Sequence, residues 1–266
     1  MADYTLAVSE TEIKRYRMMA QHALADETRQ LALAGIVQGA VVADVGCGPA
    51  AMSLELANIV GPAGHVVGVE REEAALTAAG QVVAASGRDV ELRQGTATAT
   101  GIEPGSVDVV MMRHVLAHNG GEEQAIVDHL ATLVRPGGAV YLVDVDLTGM
   151  RMLDTDPDLD ELGPRYAAFH AARGNDPMVG LRLGTLLATA GLEVVDFTGR
   201  YSILQMPVGM RPPAWAAREA MLAQGAATPA DVERWGAAFE RLDAAVVRPT
   251  LFAPVFVGIG RRPTSE

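Results

Sequence analysis

Cysteine is nearly absent: Cys47 is the only one in 266 residues, which excludes an internal disulfide framework and fits a reducing compartment. No apolar run approaches the ~20 residues needed to cross a bilayer, so no membrane partner is expected. Aromatic residues make up 5% of the chain, and acidic residues outnumber basic ones 33 to 21, for a net charge of −12 and a pI near 4.9. A nucleic acid needs a basic footprint to displace its counterions and aromatic faces on which to stack bases; neither is present, and nucleic-acid partners are not expected. The opening stretch, MADYTLAVSETEIKRYR, lacks the basic-then-apolar layout of a secretory signal, and a cytoplasmic protein is the expectation. Repeats, low-complexity tracts and flexible linkers are also missing. What the chain has is apolar residues, 49% against 20% charged, enough for a substantial core. Its length exceeds the ~100–200 residues typical of one domain but suits a single α/β unit.

Ser9-Glu10-Thr11-Glu12 matches a capping box, and the apolar spacing Ile13, Tyr16, Ala20, Leu24 predicts a helix, followed by a second from Glu27 to Ala34 before Gly35. Beyond Val41 short β-branched runs appear at Val41–Val45, His65–Val69, Val90–Arg93, Val107–Met112 and Ala139–Val145. Helical stretches, Ala50–Val60, Glu72–Ser86 and Glu122–Val134, separate most of them. That alternation predicts a parallel sheet with right-handed crossovers. Residues 147–178 then hold no clear strand and carry the acidic stretch TDPDLDELGP. A helix over Gly180–Ala190, a sixth strand from Leu192 to Thr198 extending toward Leu204, helices at Pro213–Gln224 and Pro229–Ala245, and a final strand at Leu251–Gly260 complete the reading. One domain, 1–266, is expected, with an N-terminal helical cap (1–40), a cofactor-binding core (41–200) and substrate-side inserts at 147–178 and 206–248. The helical stretch 212–246 suits a lid or a homodimer surface equally.

The most informative residues are VVADVGCGPA at 41–50 and the strand HVVGVE that ends in Glu70. A buried strand ends in a carboxylate, turns through closely spaced glycines and opens into a helix, so backbone N–H groups can approach a nucleotide-like ligand. The acid ending the next strand is placed to bond a ribose diol. A nucleoside-containing cofactor follows. Residues 46–51 even satisfy the permissive dinucleotide form G-x-G-x-x-A. Against it, Asp44 would repel a pyrophosphate but attract an ammonium or sulfonium group, and the Pro-Gly-Gly turn of LVRPGGAVYLVDVD is foreign to the dinucleotide fingerprint. Pro49 is expected to start the helix.

The succession VVADVGCGPA, VVGVE, SVDVVMMRHVLAH and LVRPGGAVYLVDVD, spread over roughly residues 40–200, resembles the class I S-adenosylmethionine-dependent methyltransferases. Within them it is most similar to the small-molecule branch that includes the ubiquinone and menaquinone C-methyltransferases. The resemblance implies an α/β fold with a doubly wound, mostly parallel, seven-stranded Rossmann-like sheet whose last strand is antiparallel, plus helical lid inserts. It implies S-adenosylmethionine as cofactor. Asp44, Gly46 and Gly48, with Cys47 in the same turn, would surround its methionyl and ribose parts, and Glu70 would bind the ribose hydroxyls. Gly95-Thr96-Ala97 stands where the family commonly has Gly-Asp-Ala, the acid of which contacts the adenine amine; Thr96 lacks that charge. Ala50 replaces a third glycine. Arg113 and His114 would lie beside the methionine moiety and the transferring methyl, and Tyr16 would close over the cofactor.

Methyl transfer from a sulfonium is an in-line displacement, so positioning can supply ~7–11 kcal/mol, and a base helps only an acceptor that must lose a proton. His114, His118 and His170 are the candidate bases. HVLAH has Val115 where a metalloprotease helix needs glutamate, and no metal site is expected. Asp154, Asp156, Asp158 and Asp160 lack the glycine and glutamate of a calcium loop and read as a solvated acidic loop. Asp144 and Asp146 end the fifth strand and suit either substrate contact or capping. Met150, Met152, Met178, Met206, Met210 and Trp215 suit either a pocket or a buried lid. Cys47 is expected to pack, without reactivity. The function expected is methyl transfer to a small, partly apolar metabolite. The alternatives are a protein that binds S-adenosylmethionine without transfer, a nicotinamide-dependent oxidoreductase, and a methyltransferase acting on proteins.

Overall fold

The computed structural model describes residues 10–264. Its strands are β1 (Val41–Val45), β2 (His65–Glu70), β3 (Glu91–Gln94), β4 (Val107–Arg113), β5 (Val134–Val145), β6 (Arg151–Leu153), β7 (Glu193–Gln205) and β8 (Thr250–Arg261). Its helices are α1 (Glu10–Ala34), α2 (Ala51–Val60), α3 (Glu73–Ser86), α4 (Glu123–Leu133), α5 (Leu162–Ala172), α6 (Leu183–Thr189), α7 (Pro213–Ala216), α8 (Arg218–Ala223) and α9 (Pro229–Ala244). The strands form one eight-stranded sheet in the order β3-β2-β1-β4-β5-β8, with β7 on the far edge of β8. β1 to β5 are mutually parallel. β8 runs antiparallel between β5 and β7, as the resemblance implies for a last strand, and its first residues pair with β6.

The central strands of the sheet are buried on both faces, which is why they read as largely apolar runs, whereas β3, β6 and β7 are not. On one face α4 and α6 pack Ile126, Leu130, Leu183 and Leu187 against Val110, Val140 and Leu142. On the other, α1 and α2 bring Leu31 and Leu56 onto Val42, Met111, Tyr141 and Val257. A third core lies apart from the sheet, where Leu162, Tyr166 and Phe169 of α5 meet Met221, Trp235 and Phe239 of α8 and α9. The two inserts are therefore packed on each other.

The structure corrects several expectations. The N-terminal region is one helix, α1, not two: its buried positions Ala20, Ala23, Glu27, Leu31 and Ala34 keep a 3-and-4 spacing straight through the expected break. The capping box at Ser9 lies outside the described residues. β6 is an eighth strand, too short to show an alternation. Residues 213–224 split into α7 and α8, and α6 is preceded by a 3-10 turn at Val179–Arg182. Pro49 does not start α2; Ala50 caps it in a left-handed conformation, φ 60°. The alanine there holds the backbone shape a third glycine would adopt. The acidic stretch is only partly free in solvent: Asp154 and Asp160 are exposed, but others are paired. Asp156 and Asp158 bond Arg241, and Glu161 bonds Arg165 and Arg234, so charged pairs stitch the first insert to α9. Each such exposed pair contributes only ~0.2–1 kcal/mol.

Candidate functional site

A cavity of about 340 Å³ opens where β1, β2, β4 and β5 end, covered by α1 and both inserts. Ligands of open α/β sheets bind at this edge. The glycine turn after β1 is tied to β2, since the N–H groups of Gly46 and Cys47 both donate to the Val69 carbonyl, at 2.8 and 3.1 Å. Gly46 sits at φ +77°, and a Cβ on it would come within 2.5 Å of the Val115 side chain. Gly48, at φ +53°, faces open space. The Glu70 carboxylate is oriented by three backbone donors: Arg71 and Glu72 to Oε1 at 2.7 and 2.9 Å, and Gly48 to Oε2 at 2.9 Å. A carboxylate offers about four acceptor sites, so capacity remains for a ligand hydroxyl.

Asp44 is buried, with Oδ2 accepting from the Ser53 hydroxyl at 2.6 Å. Burial pushes its carboxyl up to about 6, against the pull of Ser53 and Arg113. An anion so placed gains from a cationic ligand. For folding itself the sign is opposite: a carboxyl raised above its unfolded value of 3.8 costs stability as pH climbs from about 4 to about 6, by ~1.4 kcal/mol per pH unit. Urea unfolding of Asp44→Asn beside the unsubstituted protein should show the difference moving in the variant's favour with that slope, then flattening above pH 6. A pH-independent difference would contradict the burial of a titrating carboxyl.

Glu27 of α1 is completely buried and gathers three partners from three strands. Arg113 of β4 donates twice, at 2.5 and 3.2 Å, Tyr141 of β5 donates its hydroxyl at 2.7 Å, and Arg200 of β7 donates at 2.7 Å. Burial would raise the Glu27 carboxyl, but its cationic and hydroxyl donors outweigh it and hold the group at about 2. Burial likewise opposes the Arg113 charge, and Glu27 more than restores it.

His114 follows β4 at φ +55° with its N–H on the Val143 carbonyl; it is not on a helix with His118, which lies in a 3-10 turn. Burial lowers both imidazoles, to about 3 for His114 and about 4 for His118, so both are neutral and weak bases at neutral pH. Asp144 is better matched to proton transfer. It is buried, accepts the Ala117 and Val145 N–H groups at 3.2 and 2.9 Å, and is pushed by burial up to about 7. Asp146 caps the next turn, accepting from Thr148. His170, which stands in a segment that reads as an exposed helix surface, is instead 2% exposed and packs edge-on against Tyr166 and His118.

The structure brings Tyr16, Asp44, Gly46, Cys47, Gly48 and Glu70 to the cavity wall, together with Gly95, Ala97, Arg113 and the three histidines. Thr96 is the exception. It is exposed, bridged to Ala99 with its hydroxyl 3.5 Å from that of Thr98, and does not line the cavity. Met150, Met206 and Met210 line it, whereas Met178 is exposed and Met152 and Trp215 pack into the third core. Burial and the nearby acids Asp44 and Glu70 raise the Cys47 thiol, an inert packing group. Glu27, Arg200 and Asn175 are wall residues that sequence reading did not assign to the site, and Asp144, expected either to contact substrate or to cap, stands on the wall as well. Among the described residues no group of three or more acidic, histidine or cysteine side chains could hold a metal ion, and no helix is long and apolar enough to cross a membrane.

Residues 42–138 match the model of a methyltransferase domain. The chain is 33% identical over 166 residues to an arsenite methyltransferase of Halobacterium salinarum, an alignment covering 62% of this chain and 40% of that one. It is 36% identical over 172 residues to a ubiquinone biosynthesis O-methyltransferase of Cupriavidus pinatubonensis, covering 63% and 65%, and 31% identical over 166 residues to one of Pseudomonas entomophila, covering 60% and 68%. The chain thus spans less than two thirds of the first two relatives. The crystal structure of the YcgJ protein of Bacillus subtilis shares the fold, with a TM-score of 0.59 at 16% identity, covering 92% of this chain and all of that one.

Proposed function

The chain belongs to the S-adenosylmethionine-dependent methyltransferases, and from that premise we propose that it transfers a methyl group from S-adenosylmethionine to a small, partly apolar metabolite. One observation supports this most: a single cavity joins the glycine turn and the carboxylates Asp44 and Glu70 to an apolar chamber walled by Met150, Met206 and Met210. These residues fit the cofactor. Glu70 offers a pre-oriented acceptor for ribose hydroxyls, Asp44 an anion for the cationic methionyl end, and Gly46 and Gly48 a turn without Cβ obstruction.

When bound, the cofactor supplies an electrophilic methyl group on a sulfonium. The chain's own part is to hold the acceptor in near-attack geometry and to exclude water, which α1 and the mutually packed inserts do by roofing the cavity. Where the acceptor must shed a proton, Asp144 is the group whose affinity for it is matched to neutral pH. The second insert's apolar residues are spent on the core it shares with the first, which favours a lid over a homodimer surface. A cytoplasmic location accords with the lone, unpaired cysteine.

Incubation with methyl-labelled S-adenosylmethionine and a panel of phenols, quinols and amines tests the proposal. Label is expected in a small product, and Asp144→Asn is expected to slow transfer to hydroxyl acceptors by about 100-fold or more. Cofactor binding with no methylated product from any acceptor would favour a binding protein without transfer, and binding of NAD⁺ alone would favour an oxidoreductase.

A further inference from the structure

β7 pairs antiparallel with β8 along its whole length, from Glu193 opposite Arg261 to Gln205 opposite Thr250. Among the described residues no strand or backbone group bonds its other edge. Free edges are commonly blunted by lysine, proline or a bulge, because bare N–H and C=O groups invite another strand. The 13-residue β7 holds no lysine or proline, and its bulge, between Val194 and Asp196, lies near its start. Residues 196–205 are thus a regular and unblunted edge.

The side chains add to this. Arg200, Ser202 and Leu204 line the cavity, so the alternate residues Phe197, Gly199, Tyr201, Ile203 and Gln205 face the opposite side of the sheet. There α6 covers only the far end of the strands, where Leu183 and Leu187 lie against Gly258 and Gly260. Tyr201 and Ile203 stand beyond it, 56% and 63% exposed. The Phe256 ring lies across Gly199, 2.5 Å from where a Cβ would stand. Phe197 stacks near Phe256 at 6.2 Å, and Tyr201 meets Phe252 edge-on at 6.4 Å. Four aromatic rings, in a chain with only 5% aromatic residues, therefore gather on one uncovered face beside a bare edge. None of the five outward residues is charged, so a chain of net charge −12 can meet a copy of itself here without opposing like charges.

We propose that this edge is a homodimer interface, in which β7 pairs antiparallel with β7 of a second copy about a two-fold axis through Gly199. The strand matches itself best at that centre. Gly199 is the midpoint of Glu193–Gln205, which gives the two strands their longest overlap. Phe197 then stands opposite the partner's Tyr201 on both sides of the axis, an aromatic cross-strand pair made twice. Asp196 meets the partner's Ser202, and Thr198 meets the partner's Arg200. A centre one residue later would set two Arg200 side chains directly against each other, which is disfavoured. Such an interface uses the same patch on both copies, so it closes at two and leaves no β7 edge for a third. Because β7 carries Arg200, Ser202 and Leu204 into the cavity wall, the second copy would brace that wall from behind.

Sedimentation velocity of the full chain, from about 1 to about 100 μM, tests the proposal. A species of twice 27.9 kDa is expected. Tyr201→Lys and Ile203→Lys change side chains that a single copy leaves exposed, and each should weaken association about 10-fold or more. Val246→Lys, at a residue 98% exposed in the loop after α9, should leave it unchanged. A short bis-maleimide reads the axis, since Cys47 is buried. Thr198→Cys should link to its mate, about two residues away along the paired strands, whereas the mates in Gln205→Cys lie about 40 Å apart and should not link. A monomer throughout the range would overturn the proposal, and so would a dimer indifferent to both β7 lysines. Linkage in Gln205→Cys but not in Thr198→Cys would overturn it as well, as would dissociation by Val246→Lys alone, which would place the interface on the second insert. The mass is read on the unsubstituted protein, so misfolding of a variant leaves that arm intact.

Discussion

Glu27→Ala is expected to lower the unfolding free energy at pH 7 by about 3–5 kcal/mol, because it strips a completely buried partner from Arg113 and leaves an uncompensated charge inside the protein. The Tyr141 hydroxyl and Arg200 lose their acceptor in the same step. A carboxyl held at about 2 against a usual 4.5 carries about 3 kcal/mol of linkage on its own. Its sign is that of a depressed acid: the contribution is complete above 4.5 and lost as pH falls toward 2. Urea unfolding at pH 7 and again at pH 3 therefore should show the gap between variant and unsubstituted protein narrowing in acid. A difference under 1 kcal/mol at pH 7 would contradict the geometry. Binding should suffer too, since Glu27 is the buried residue that joins the cavity-covering α1 to β4, β5 and β7.

Gly46→Ala is expected to cost about 2–5 kcal/mol and to abolish cofactor binding. Two separate penalties combine. A left-handed φ of +77° costs an L side chain ~1–2 kcal/mol, and a Cβ within 2.5 Å of Val115 forces a shift that costs ~1–3 kcal/mol. The shift moves the turn that the N–H groups of Gly46 and Cys47 tie to β2. Gly48→Ala separates the two penalties, because nothing stands within 4 Å of its Cβ position. It should lose only the backbone part of the stability while still narrowing the cavity. Thermal unfolding of both variants, with and without S-adenosylhomocysteine, checks this, and equal stabilities for the two would contradict it.

The sheet was legible because its physics is local. Strands β1, β2, β4 and β8 are short, mostly apolar runs, and α2, α3 and α4 lie between turns that the sequence marks within a residue or two. The cavity wall they form was legible for the same reason: Asp44, Gly46, Gly48 and Glu70 fall at or just beyond strand ends, where the fold fixes their direction. What stayed hidden depends on contacts distant in sequence. A glutamate in a polar helix reads as solvated, and nothing at position 27 announces partners at 113, 141 and 200. His170 lies between Arg165 and Arg173 in the sequence, and its burial comes from the third core and the loop at Gly120. The acidic run at 154–161 looked free because the arginines that pair with Asp156, Asp158 and Glu161 across the inserts stand 73–85 residues later, on α9. Thr96 illustrates the converse error, a motif position whose side chain turns outward while its two neighbours face the cavity.

The central claim is that the wall built from Asp44, the glycine turn and Glu70 holds S-adenosylmethionine. Calorimetric titration of the purified protein with S-adenosylhomocysteine, beside Glu70→Ala and an NAD⁺ control, tests it most directly. Saturable one-site binding is predicted, weakened about 10- to 100-fold in Glu70→Ala through loss of hydrogen bonds to an ionised acceptor, with no heat from NAD⁺. No binding of the homocysteine nucleoside, or equal affinity in the two proteins, would contradict it.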